Sequence, residues 1–213
     1  MVLQEAVELS PRPEAERVVV GIWLIAITSY RKVFVVENQF AKFESQKVPG
    51  QLNCPAETYK PTDGGNFRNT LDRAIEEEIG IINCNPSNIK PLGFVKLAGL
   101  GKGVIAAPYL IPVTSEADVQ YNPKDQGESS NPRWVNLSEI ESQKTLTIGR
   151  FNVPLYRTPM VEIAELVSSF RRGKKLKVLT AKAPVIGKDV YDFLEQNTGT
   201  RPVSIESHRD GRV

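Results

Sequence analysis

The sequence predicts an α/β protein, and three observations carry that expectation. The apolar run "VVVGIWLIAIT", Val18 to Thr28, is rich in β-branched residues and reads as a buried strand. Strand-like and helix-like patterns then alternate along the chain, which points to helices packed on a sheet. Between two such strands, Leu71, Ile75 and Ile79 recur at a spacing of four, which predicts an amphipathic helix over about Phe67 to Ile79.

The elements follow in order. "KVFVVENQ" pairs with the first strand across the turn-like "YRK", giving an antiparallel pair near the start. A loop rich in Pro, Gly, Asn and Asp runs from Pro49 to Asn66, and Gly80 is placed to cap the helix after it. "LGFVKLAGLGKGVIAAPYLIPVT" reads as two strands around a glycine-rich hairpin, Gly99 to Gly103. Its glycines lack the spacing of a phosphate-binding P-loop. "RWVNLSEI" is a strand turning into a helical start, and a further helix is expected from Met160 to Arg172. The remainder reads as strand "KLKVLT", helix "KDVYDFLEQN" closed by Gly199, and a short strand "PVSIE". Three segments result: a lead-in over 1–17, a main domain over 18–172, and a small strand–helix extension over 173–213.

Composition excludes several classes. With 40% hydrophobic and 24% charged residues in a chain of 213, a soluble globular protein with a substantial core is expected. The apolar run is far short of the roughly 20 residues that span a bilayer. The N-terminus is acidic, without the basic start and apolar core of a secretory signal, so a cytoplasmic location is expected. Cys54, Cys84 and the single His208 form neither a disulfide framework nor a zinc spacing, and both thiols read as inert. Residues 150–213 hold 12 Lys or Arg against 7 Asp or Glu, while the rest holds 15 against 18. The basic "RRGKKLK" suits the end of a helix better than a nucleic-acid surface, because the segment after it shows one convincing helix where a winged helix needs about three.

The helix raises a chemical question. It ends in Glu76, Glu77 and Glu78, which repel one another and sit against the negative end of the helix dipole. A bound cation would make them tolerable. At helical spacing, positions 74, 77 and 78 form one patch, Arg73 reaches Glu77 four residues on, and Glu78 borders the apolar stripe. Tyr59, Phe67 and Arg68, in or beside the long loop, are candidates to stack on a base or close over a substrate.

These residues resemble the signature of the Nudix hydrolases: Gly, five residues, Glu, seven residues, then Arg-Glu-aliphatic-x-Glu-Glu-x-Gly-aliphatic. "RAIEEEIGI" supplies Arg73, Ile75, Glu77, Glu78, Gly80 and Ile81 in matching places, with Ala74 where the family has Glu. In "PGQLNCPAE", Pro49 and Gly50 match, Gln51 stands for the signature glycine, and Glu57 follows after five residues. Fifteen residues, Thr58 to Asp72, then replace the family's seven, so an eight-residue insertion is expected within "YKPTDGGN". "WVNLSEI", Trp134 to Ile140, resembles the family's closing strand and helix start, and Glu128 lies where some members carry an additional metal-binding Glu.

The resemblance implies an α/β/α sandwich around a mixed sheet and divalent-metal-dependent hydrolysis of a nucleoside-diphosphate-linked substrate, with Mg²⁺ or Mn²⁺ held by carboxylates. Glu77 and Glu78 would then be metal ligands, and Arg73 would orient a carboxylate. Glu57 would support the loop or the metal, Glu128 would be a further ligand or base, and Gly50 would lie at the substrate. The substitution at Ala74 opens an alternative: a Nudix-like domain without catalysis that binds a nucleotide metabolite or a macromolecular partner. The C-terminal extension is expected to pack on the domain or to build the interface of a homodimer, as in many family members.

Overall fold

The computed structural model describes residues 18–29, 31–43, 46–98, 103–124, 129–142, 144–157, 159–173, 178–182 and 186–197. Glu128, His208, the lead-in 1–17, the hairpin tip 99–102, the basic 174–177, Gly199 and the strand expected at 202–206 lie outside them.

The first apolar run is strand β1 (Val18–Thr28), and it turns into β2 (Lys32–Asn38). Short strands β3 (Leu52–Asn53) and β4 (Ala56–Thr58) lead to helix α1 (Phe67–Ala74), which continues into a π segment (Ile75–Ile79). There follow β5 (Gly80–Ile82), β6 (Lys90–Pro91), β7 (Phe94–Ala98), β8 (Gly103–Val113), β9 (Val119–Tyr121) and β10 (Ser129–Asn136). Helix α2 (Leu137–Glu141), hairpin β11 (Thr145–Ile148) and β12 (Phe151–Pro154), α3 (Pro159–Arg171), β13 (Val178–Lys182) and α4 (Lys188–Gln196) complete the order.

The main sheet runs β10-β2-β1-β8-β7-β13 and is mixed: β1 lies parallel to β8 and β7 parallel to β13, while the other pairs on this path are antiparallel. Alternation along β1 explains the layers. Val20, Ile22, Leu24 and Ala26 face the side covered by α1, together with Phe67, Leu71, Ala74 and Ile79. Trp23, Ile25 and Ile27 face the opposite side, where Met160, Ile163, Ala164 and Val167 of α3 and Val190 and Tyr191 of α4 pack. Two helical layers therefore sandwich the sheet. The described part of the C-terminal extension adds β13 to the sheet edge and α4 to the core beneath it.

One branch point positions the site. Near its end β1 pairs with β2 through Ile27↔Val33 and Thr28↔Lys32, but earlier it pairs with β4 through Ile22↔Glu57 and its neighbours. The chain crosses this fork between β3 and β4, where the Leu24 amide donates to Pro55 O at 2.9 Å. Gly21 is required here: a Cβ at this position would stand 2.8 Å from the Glu57 carbonyl oxygen.

The pairs β5–β9 and β11–β12 and the short β6 have no counterpart in the expected elements. They are two to four residues long, too short for a periodic signal to separate strand from loop.

Candidate functional site

The fork delivers Glu57 to the face on which α1 lies, and α1 delivers Arg73 and Glu77 to the same place. Arg73 Nη1 lies 2.9 Å from Glu57 Oε1 and 3.0 Å from Glu77 Oε2. Its Nη2 also donates to the Thr58 carbonyl oxygen at 2.8 Å, tying the helix to the end of β4. The spacing of four between Arg73 and Glu77 makes their pair geometrically easy.

The strongest partner of Arg73 is one that motif spacing missed. Asp63, inside the loop 59–66 where an insertion is expected, accepts from Arg73 Nε at 3.2 Å and Nη2 at 2.9 Å, a bidentate pair. It also accepts from the Lys60 amide and from Thr70 Oγ1, each at 2.9 Å. Hydrogen bonding from Arg73 outweighs burial and holds the Asp63 carboxyl at about 2, well below the usual range. The same bonds, Asp63 first, raise Arg73 against its own desolvation. For Glu77, burial opposes the charged form, but the Arg73 hydrogen bond and the Lys60 charge prevail and lower its carboxyl. A signal for Asp63 was present: it is an acid next to a Gly-Gly turn, upstream of Asn66, which caps the helix by accepting from the Arg68 amide at 2.9 Å.

The insertion is folded tightly. Pro61–Asp63 forms a 3-10 turn, and Gly64 and Gly65 reverse the chain with φ of 66° and 76°, a conformation glycine adopts at no steric cost. Tyr59 accepts from the Gly65 amide at 2.7 Å through its hydroxyl oxygen and packs edge-on against Phe67. Burial corrects the expectation for Phe67, which is not available to stack on a base or close over a substrate. Phe67 is 1% exposed in the core, and the half-buried Tyr59 staples the insertion. Arg68 is exposed and pairs with Asp72 at 3.1 Å.

Gln51 is 2% exposed and acts as a brace: its Oε1 accepts from the Val48 amide at 3.1 Å and its Nε2 donates to Pro154 O at 2.9 Å. Gly50 beside it has φ of 84°, and its amide donates to Asn38 O at 2.9 Å. Cys54 is fully buried nearby, and burial pushes its thiol up to about 12 despite the charge of Arg157, which leaves it inert.

The end of the helix departs most from expectation. Beyond Ala74 the winding is π, closed by the Gly80 amide donating to Ile75 O. The wider winding, with its bond from residue i+5 to residue i, swings Ile79 round toward the buried side, and both Ala74 and Ile79 are 0% exposed. The patch expected of positions 74, 77 and 78 is thus split: Ala74 belongs to the core, whereas Glu77 and Glu78 are half-exposed. Gly80 itself has φ of 112° and lies so close to β9 that a Cβ would stand 2.8 Å from Asn122 O. Glu76 points outward and pairs with Lys124. Of the four glutamates expected to converge, Glu57 and Glu77 meet at Arg73, Glu78 is a neighbour of Glu77 along the π segment, and Glu128 is outside the described residues. Among the described residues no group of three His, Cys, Asp or Glu side chains is placed to hold a metal ion. No described helix is long and apolar enough to cross a membrane.

Neither a protein-family model nor a curated protein sequence matches the chain. Solved structures do match its fold. The NUDIX domain of Shewanella oneidensis NrtR, solved with ADP ribose, superposes with a TM-score of 0.51 at 16% identity, covering 80% of this chain and 99% of that one. The E. coli ORF135 protein superposes with a TM-score of 0.50 at 11% identity, covering 74% of this chain and 93% of that one. Identities this low speak for fold alone, and in those terms the chain has a Nudix-like α/β/α sandwich around a mixed sheet.

Proposed function

We propose that this chain is a Nudix-like domain that binds a nucleoside-diphosphate-linked ligand at the cleft beside Arg73 and does not hydrolyse it. The observation that carries this reading is the commitment of the cleft's carboxylates: Glu57 and Glu77 share one guanidinium nitrogen, and position 74 lies in the core. The NUDIX domain with ADP ribose supplies the ligand class by fold analogy.

Carboxylate oxygens are the right donors for Mg²⁺ or Mn²⁺. Their arrangement is not, since the Glu57 and Glu77 oxygens are held by Arg73 from the protein side and faced by the Lys60 ammonium on the solvent side, where a metal would have to enter. The residues as placed do not fit a resident divalent ion. What the chain's own groups do is hold shape. Asp63 and Arg73 lock the insertion to α1, and Gln51 locks the loop before β3 to β12.

A second reading, metal-dependent hydrolysis, draws support from Glu77 and Glu78 lying side by side and half-exposed at the end of the signature-like helix. One experiment separates the two. Calorimetric titration of the full chain with ADP-ribose in EDTA is expected to give saturable binding, and product analysis with Mg²⁺ or Mn²⁺ is expected to give no turnover. Metal-dependent turnover that Glu78→Gln abolishes would establish the second reading, and absence of binding across a panel of nucleoside diphosphate conjugates would defeat both.

A further inference from the structure

The insertion does more than lengthen a loop. Lys60 is the residue that opens its 3-10 turn, and its amide is fixed by Asp63 Oδ2, which is fixed in turn by Arg73 and Thr70. Pro61 follows and sets the backbone direction. The Lys60 stem therefore starts from a defined point, and its ammonium reaches 3.5 Å from Glu77 Oε2 and 4.0 Å from Glu57 Oε1. These are the two oxygens that Arg73 holds from the protein side. Arg73 is 17% exposed and Lys60 49%, so the guanidinium closes the carboxylate pair from within and the ammonium closes it from the solvent.

Resting on the reading of this cleft as the Nudix-like ligand site, we infer that Lys60 is the resident counter-ion of the Glu57–Glu77 pair and excludes divalent metal from it. An ammonium on a four-carbon stem is a compact, strongly hydrated point charge, closer to a metal cation in its demands than a planar guanidinium is. It occupies the open side of the pair, the side from which a metal would enter. Two carboxylates with two cations already within 4.0 Å of them offer a third, doubly charged cation little attraction. The insertion thus brings its own cation, and this answers how a glutamate is tolerated at position 77 near the negative end of a helix.

The test uses the full chain and Mn²⁺ alone, with bound metal read from the loss of the free-ion electron paramagnetic resonance signal. Wild type and Lys60→Arg, which keeps the charge, are expected to show no saturable site in the sub-millimolar range. Lys60→Met and Lys60→Gln are each expected to bind Mn²⁺ about tenfold or more tightly than wild type. A second change, Glu77→Gln, is expected to remove the gain. Two uncharged replacements at a half-exposed position guard against a folding defect in one of them, and circular dichroism verifies each variant. Equal Mn²⁺ affinity in wild type and both uncharged variants, whether strong or absent, would overturn the inference. The titration with ADP-ribose in EDTA is independent of this result: its failure removes the ligand reading and leaves the Mn²⁺ comparison intact.

Discussion

Along the helix after the insertion, Phe67–Ala74 winds as α and buries Phe67, Thr70, Leu71 and Ala74, whereas Ile75–Ile79 winds as π and buries Ile79 alone. Both stretches carry apolar residues at helical spacing, so composition does not separate them. Winding does. In the α portion, residues three or four apart share a face, and the buried stripe follows directly. In the π portion the face rotates, Ile79 joins Ala74 in the core, and the three glutamates fan out: Glu76 toward Lys124, Glu77 toward Arg73 and Lys60, and Glu78 between core and solvent. A π turn at the end of a helix can thus keep a row of acids while withdrawing the residue before them from their patch.

The largest expected effect breaks that division. Ala74→Glu would put a carboxylate next to the row of acids, and on α geometry it would add a third one to a surface patch. On the observed geometry it forces a carboxyl group into a core position that is 0% exposed, beside Leu71 and Ile79. Overpacking and the burial of an unpartnered polar group together should cost about 3–5 kcal/mol, which lowers the melting temperature by roughly 10 °C in a domain of this size. No gain in metal affinity is expected. A variant that melts like the wild type and binds Mn²⁺ more tightly would show that position 74 faces the cleft.

This contrast also marks how far the sequence could be read. Both faces of β1 were legible from its length and β-branching, and α1 from the spacing of Leu71 with its neighbours, because burial imposes periods on long elements. Glu57, Arg73 and Glu77 were legible as one group because a motif spaces them. The π end was not, since its signal is a change of period over five residues, shorter than one window. Asp63 carries only the local signal of the Gly-Gly turn beside it, and its bond to Arg73 depends on the chain reversal at Gly64 and Gly65 that motif spacing cannot encode. Phe67 was misread for a related reason: as the first residue of α1 it lies next to the loop in sequence yet points into the core.

Asp63 allows an intermediate effect, and its pH dependence has a definite sign. Its carboxyl is lowered from 3.8 to about 2 in the folded chain. The stability it contributes is complete above the ordinary value and is lost as pH falls from about 4 through about 2, amounting to about 2 kcal/mol by linkage. Asp63→Asn should therefore destabilise the chain by about that amount in denaturant titrations at pH 6, and the gap to wild type should shrink by more than half at pH 2.5. A gap that stays constant across this range would mean that Asp63 acts through shape and not through its charge on Arg73.

The smallest effect sharpens the comparison within the π segment itself, where Glu76 and Glu77 are adjacent in sequence and differ in setting. The side chains of Glu76 and its partner Lys124 are 61% and 63% exposed, so water and salt screen their attraction and holding two long side chains together costs entropy. Glu76→Gln should change stability by less than about 0.5 kcal/mol, and that difference should vanish in half-molar salt. Glu77 is 24% exposed and Arg73 17%, which removes much of the screening. Glu77→Gln should cost about 1 kcal/mol or somewhat more, since charge-assisted hydrogen bonds of this kind contribute about 1.5–3 kcal/mol and Arg73 keeps Asp63 and Glu57. Part of that cost should persist in high salt. Equal and fully salt-screened effects at the two positions would place Glu77 in solvent beside Glu76, and the cluster around Arg73 would reduce to its bond with Asp63.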